Sequence, residues 1–315
     1  MKLGVLTVPL YSMTLEDALA YLHSKGVQAV ELGAGGFPGK DHIDPDHYLD
    51  QPEEIKKLKA LIAKYDIEIC ALSCHGNAIH PDKAVAQRFQ SDFEKTVRLA
   101  EQLGVETVVT FSGCPGADPE SKAPNWVTCA WPEDYAKILE YQWKEVLIPY
   151  WKEATAFAES HNVHKIALEM HPGFCVYNPY TLLKLRDAVG DVIGANLDPS
   201  HLIWQGIDPS EAVKVLGKSI YHVHAKDTYV DKANTAKFGV LDTRHYGDIL
   251  NRSWIFRTVG YGTDTQTWKK FVSTLKMVGY DGVLSIEHED ALMSPTEGLE
   301  KAIAFLQEVM MFEKQ

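Results

Sequence analysis

Short apolar runs alternate with longer amphipathic ones along the whole chain. LGVLTV (3–8), VQAVEL (27–32), IEICALS (67–73), VETVVTFS (105–112), HKIALEM (164–170), VIGANLD (192–198), SIYHVHA (219–225) and GVLSIEH (282–288) read as strands. Each is a short, nearly continuous apolar run of the kind buried on both faces. Between them, residues 15–26, 52–65, 81–103, 133–160, 179–189, 209–217, 265–278 and 295–313 read as amphipathic helices. Pro52 suits a first helical turn, Gly26 a helix end, and Pro149 predicts a bend within 133–160.

Eight strands alternating strictly with eight helices predict a parallel sheet. In 315 residues the economical solution is an α/β fold, a closed (β/α)8 TIM barrel forming one domain over 1–315. The rival is an open doubly wound sheet, which usually carries a Gly-rich first βα turn, and VPLYSMT has none. Two connections outrun the others: 112–131 after strand four and 227–263 after strand seven. Loops of that length are usually functional or disordered.

Composition narrows the function. With 45% hydrophobic and 23% charged residues the chain is an ordinary globular protein, and its net charge of −12 disfavours nucleic acid. Five cysteines without a CxxC pair read as buried thiols in a reducing compartment. No signal-peptide pattern and no apolar stretch of membrane-spanning length is present, so the expectation is a cytoplasmic protein with no membrane partner.

In a barrel the active site forms at the carboxyl ends of the strands. Four consecutive strands end in LEMH, NLDPSH, HVHAKD and SIEHED. Alternation along a strand lets Glu169, Asp198, His224 and Glu287 point inward at similar height. Three carboxylates at close quarters need a cation, and with one imidazole they suit a hard or borderline divalent ion. Mn2+ or Mg2+ is expected, with Zn2+ or Co2+ as substitutes. Asp198 alone would read as a cap or turn residue before Pro199; the set of four carries the metal reading. His201, one turn on, is placed in the same pocket without ligating. His171 and His288 alternate away from the ligands and read as structural.

These motifs, with SCHGNAIHP (73–81) and FSGCPG (111–116), resemble the xylose-isomerase-like TIM-barrel superfamily over essentially the whole barrel. The resemblance implies Glu169, Asp198, His224 and Glu287 as ligands of one divalent metal and His201 as a substrate-binding residue. In the ketose 3-epimerases of that superfamily an arginine after the seventh strand binds substrate. Here Lys226 follows HVHA, and among Arg244, Arg252 and Arg257 the last is preferred because glycines follow it.

The chemistry that fits is proton transfer next to a carbonyl, through an enediolate whose charge the metal stabilises. Glu169 and Glu287 are the expected acid/base pair of a sugar, sugar-phosphate or inositol-ketone isomerase or epimerase. His201, Arg257, His75 and Trp131 are the expected substrate contacts. A dehydratase of an inositol ketone is an alternative outcome of the same proton abstraction. A phosphodiesterase like the abasic-site endonucleases is a second alternative, but it needs more ligands than strand four and the 227–263 loop offer. A non-catalytic sugar-binding barrel would not need converging carboxylates. Homo-oligomers are common among such barrels.

Overall fold

Every residue of VELG-type runs disappears from solvent because both faces of each strand are covered. The computed structural model describes residues 1–313; positions 314 and 315 of the expected domain lie outside the described residues. Its strands are β1 (Lys2–Leu6), β2 (Ala29–Gly33), β3 (Glu68–Ser73), β4 (Thr107–Phe111), β5 (Lys165–Glu169), β6 (Ile193–Leu197), β7 (Ile220–Ala225), β8 (Asp227–Val230), β9 (Trp254–Arg257) and β10 (Val283–Ile286). Eight of them close a parallel barrel in the order β1-β10-β7-β6-β5-β4-β3-β2, while β8 and β9 pair antiparallel outside it. The expected (β/α)8 barrel is therefore the observed fold.

The helices are α1 (Leu15–Ser24), α2 (Pro45–Tyr48), α3 (Pro52–Lys64), α4 (Lys83–Leu103), α5 (Glu133–Tyr141), α6 (Ile148–Ser160), α7 (Pro179–Val189), α8 (Pro199–Trp204), α9 (Pro209–Leu216), α10 (Lys232–Phe238), α11 (Thr265–Met277) and α12 (Pro295–Val309). Their starts are chemically marked. Thr14, Asp82, Asp208, Asp264 and Ser294 each accept a hydrogen bond from a first-turn amide, and Asn178 with Thr181 forms a reciprocal capping box. Gly104 ends α4 at φ +77°, a conformation that costs a glycine nothing.

Two layers of packing follow from strand alternation. Leu3, Val5, Val30, Leu32, Leu72, Val108, Ile166 and Leu168 join the large core against the helices. Ala71, Val109 and Ala167 form a separate small cluster that packs with Tyr221. Register shifts occur between Val30 and Glu31 and between Ala195 and Asn196. Bulges of this kind re-aim side chains beside active sites.

Four details depart from the sequence reading. Residues 133–160 are broken ahead of Pro149, by a π-helical turn at Gln142–Leu147. Proline offers no amide to the preceding turn, and the wider turn absorbs the mismatch. The 112–131 connection is ordered by polar side chains: Gln142 donates to the carbonyls of Pro115, Gly116 and Asn125, and Asn77 both donates to and accepts from Cys114. The 227–263 stretch contains the β8–β9 pair and α10, elements too short to show periodicity. The last helix stops at Val309.

Asp227 holds the return from β9 to α11. Its carboxylate accepts from the amides of Thr228, Gly260, Gly262 and Thr263, from Thr263 Oγ1 and from Trp268 Nε1, at 2.9–3.1 Å. An amide in its place cannot accept all six. Asp227→Asn is expected to cost about 3 kcal/mol of unfolding free energy in urea titrations, by leaving buried donors unpaired; a change within measurement error would show the donors are not held by the charge.

Candidate metal centre and active-site pocket

Glu169 is the last residue of β5, and His224 lies one residue before the end of β7. Asp198 and Glu287 immediately follow β6 and β10. Each offers one ligand atom to a group whose atoms all lie within 4.8 Å of one another. His224 Nδ1 is 3.2 Å from Glu169 Oε2 and 3.0 Å from Glu287 Oε2. Asp198 serves two purposes at once: Oδ1 caps α8 by accepting from the Ser200 amide at 2.8 Å, and Oδ2 is left for the cavity.

Asp198 Oδ2 and Glu287 Oε2 are buried oxygens with no well-formed hydrogen bond among the described residues, and the Lys226 ammonium is the charge that meets them, at 3.1 and 2.9 Å. Buried carboxylate oxygens are costly unless cations meet them. Three carboxylates and one imidazole nitrogen are also the donor types that a divalent ion takes. The residues present therefore fit a metal ion.

A second cation belongs to the protein. Lys226 Nζ, fully buried, lies 2.9 Å from Glu287 Oε2 and 3.1 Å from both Asp198 Oδ2 and Glu289 Oε2. Burial alone would lower its pKa, but the charges of Asp198, Glu287 and Glu289 outweigh it and hold the ammonium well above its ordinary value. Burial likewise disfavours the His224 imidazolium, yet the carboxylates of Glu31 and Glu287 raise its pKa well above the ordinary one. Burial would raise Glu169, and the charge of His75 with hydrogen bonds from His201, His224 and His75 keeps it well below the usual carboxylate range. Glu169 is thus ionised at neutral pH.

Histidines enclose the rest of the centre. His75 Nε2 bonds Glu169 Oε2 at 3.0 Å, and His201 Nε2 lies 3.1 Å from Glu169 Oε1 and 3.4 Å from Asp198 Oδ2. Both line a cavity of about 390 Å3 that Glu169 and Glu287 of the cluster also border. Its other wall is apolar: Leu6, Val8, Phe37, Phe111 and Phe174, the last two rings stacked at 4.2 Å. A cavity of this size suits a small molecule.

Two expected contacts are not brought to this cavity. Arg257 commits Nε to Asp290 Oδ2 at 3.0 Å and is absent from the cavity wall, because β9 turns it toward the loop after β10. Trp131 is 75% exposed and also lies off the wall. Trp204 and Trp254 stack on each other at 4.5 Å, a packing role. Conversely, His171 and His288 do line the cavity, against their reading as outward. His288 directly follows Glu287, past the end of β10 at Ile286, where alternation no longer governs; His171 lies two residues past Glu169, on the face that alternation itself assigns to the cavity. His171 is held neutral, its pKa pushed down to about 3 by burial and by the charge of His201.

Lys226 and a carboxylate on β2 complete the list of residues that sequence reading left unassigned. The signal for Lys226 was present: in HVHAK, positions 222, 224 and 226 share one strand face. Glu31 is the lone charge in AVELG, and it accepts from Ser73 Oγ, Ser285 Oγ, His222 Nε2 and His224 Nε2. A buried strand carboxylate must find such donors.

An eight-stranded barrel with a candidate metal centre at its carboxyl rim defines the class of protein. The chain belongs to the xylose isomerase-like TIM barrel family, whose model matches residues 19–309. It is 40% identical over 312 residues to the uncharacterized protein YfiH of Bacillus subtilis (strain 168), covering 98% of this chain and 99% of that one. Among solved structures, the IolI protein with a bound zinc atom aligns at TM-score 0.67 and 21% identity over 98% of each chain. A D-tagatose 3-epimerase-like protein aligns at TM-score 0.64 and 23% identity, again over 98% of each. At these identities the two structures speak for the fold. No described helix is long and apolar enough to cross a membrane.

Lys226 makes a separable prediction. Lys226→Met removes the protein's own counter-charge and leaves buried carboxylates facing each other. In EDTA the variant is expected to lose about 3–5 kcal/mol of stability, and added Mn2+ to restore more of its melting temperature than it adds to wild type. Equal Mn2+ responses in the two proteins would refute the shared-charge account.

Proposed function

We propose that the protein is a divalent-metal-dependent isomerase or epimerase of a small polyhydroxy ketone, working by proton transfer next to the carbonyl. The observation that supports this most is the convergence of Glu169, Asp198, His224 and Glu287 within 4.8 Å, with Glu169 and Glu287 lining an open cavity. Mn2+ or Mg2+ suits this oxygen-rich donor set best. When bound, the ion supplies Lewis-acid polarisation of the substrate carbonyl and of a neighbouring hydroxyl.

The chain's own residues do the rest. Glu169, ionised and oriented by His75 and His201, removes the carbon-bound proton. Glu287 meets the same Nδ1 of His224 as Glu169 does and is also held ionised, its pKa lowered by Lys226 and His224 against the effect of burial. It must therefore gain a proton, from solvent or from a substrate hydroxyl, before it can return one to the opposite face. His201 steadies a substrate oxygen, and Lys226 offers a fixed positive charge beside the developing negative one. Phe111 and Phe174 form a flat wall for the carbon face of the substrate.

The mouth favours this over a phosphodiester substrate. Its rim carries Glu289 and the apolar Phe37 and Pro38, with no basic groove at that edge, and the net charge is −12.

In D2O with Mn2+, turnover of a panel of ketoses and inositol ketones is expected to place deuterium on one carbon next to the carbonyl of the substrate. EDTA is expected to stop exchange and Mn2+ to restore it. Glu169→Gln, which preserves shape and removes the base, is expected to slow exchange by about 10²–10⁴-fold. Full activity in that variant, or turnover without exchange, would exclude the proton-transfer reading.

A further inference from the structure

We infer that Glu31 on β2 is a positioning residue that decides which nitrogen of His224 faces the metal centre. The inference rests on the metal reading of Glu169, Asp198, His224 and Glu287. Glu31 is fully buried and belongs to none of the strands that carry those four ligands. It reaches β7 through the barrel interior, since β2 pairs with β1 and β3 while β7 pairs with β6 and β10. Both of its oxygens are occupied. Oε1 takes Ser73 Oγ and His224 Nε2, the latter at 3.0 Å. Oε2 takes Ser285 Oγ at 2.7 Å, His222 Nε2 at 2.9 Å and His224 Nε2 at 3.0 Å.

An ionised carboxylate can only accept, so every one of these partners must donate. His224 therefore carries its proton on Nε2. The other ring nitrogen, Nδ1, is turned to Glu169 and Glu287, with Asn196 Nδ2 3.1 Å away, and is the nitrogen that an ion would take. Asn196 donates to Glu169 Oε2 at 3.0 Å, so the same amide lies beside two ligands. A histidine whose far N–H is held by a carboxylate is the arrangement that fixes ring orientation and raises ligand basicity in metal sites.

A competing arrangement is present in the same side chains. Glu31, His222 and His224 also lie close enough to hold an ion, through Nε2 of His224. Two serines and two imidazoles already donate into that carboxylate, and an ion there would compete with both serine hydroxyls and require both imidazoles to give up the protons they donate to Glu31. The hydrogen-bonded state requires neither, so Glu31 serves as acceptor and the ion takes Nδ1.

The test uses the full chain labelled with 15N-histidine and loaded with Zn2+, which is diamagnetic. His224 is expected to show a metal-shifted Nδ1 and a protonated Nε2; a metal-shifted Nε2 overturns the inference without any variant having to fold. In parallel, Zn2+ and Mn2+ affinities are measured by calorimetry. Glu31→Gln, which offers one acceptor oxygen for four donors, is expected to weaken binding about ten- to a hundredfold. His222→Gln leaves the Glu31–His224 pair in place and is expected to bind near the wild-type value. An equal loss in both variants, or none in Glu31→Gln, overturns the positioning role. Failure of the wild-type chain to bind any divalent cation would instead remove the metal reading itself.

Discussion

Concentrated negative charge at one rim of a barrel is the constraint around which the interior is arranged. Glu31, Glu169, Asp198 and Glu287 stand within a few residue-widths of each other, three of them out of water entirely. Left alone they would repel and take up protons. The chain answers with cations and donors of its own: the Lys226 ammonium on the mouth side, the His224 ring in the middle, and serine hydroxyls beneath. What remains unsatisfied is a small set of oxygens aimed at one point. That concentration of charge, more than any single side chain, marks the candidate site for a divalent ion.

Much of this was legible in the amino-acid order. Strand and helix alternation is a strong signal because each buried stave is a short apolar run and each outer helix repeats on one face. The four converging candidate ligands lie where those runs stop. What the pattern could not carry is whatever lies past the last hydrogen-bonded strand residue. His288 sits one residue beyond Glu287, where the backbone has left the pleat and parity fails; His171 sits two residues beyond Glu169, on the face that parity itself gives to the cavity. Arg257 was misread for a different reason: the stretch before it forms a β-pair outside the barrel, and two four-residue strands leave no periodic trace. Glu31 was overlooked because attention went to charges at strand ends, while a charge inside a strand is informative for being buried at all.

The centre and the cavity wall have different origins in the chain. Ligands come from strands or the residue just after them, where position is set by the hydrogen-bonded barrel. The apolar wall comes largely from loops, through Phe37 and Phe174. The candidate metal centre is thereby tied to the scaffold, and much of the cavity wall is not. This separation agrees with a family match that spans residues 19–309 while structural relatives share only about a fifth of their residues with this chain.

Gln142 has a consequence of the same kind for heredity. Its amide grips the carbonyls of Pro115, Gly116 and Asn125, and a carbonyl is supplied by every residue type. The connection it fastens can therefore exchange most of its letters without changing its course. In a lineage, one invariant glutamine on the widened turn would suffice to keep a freely drifting span in register.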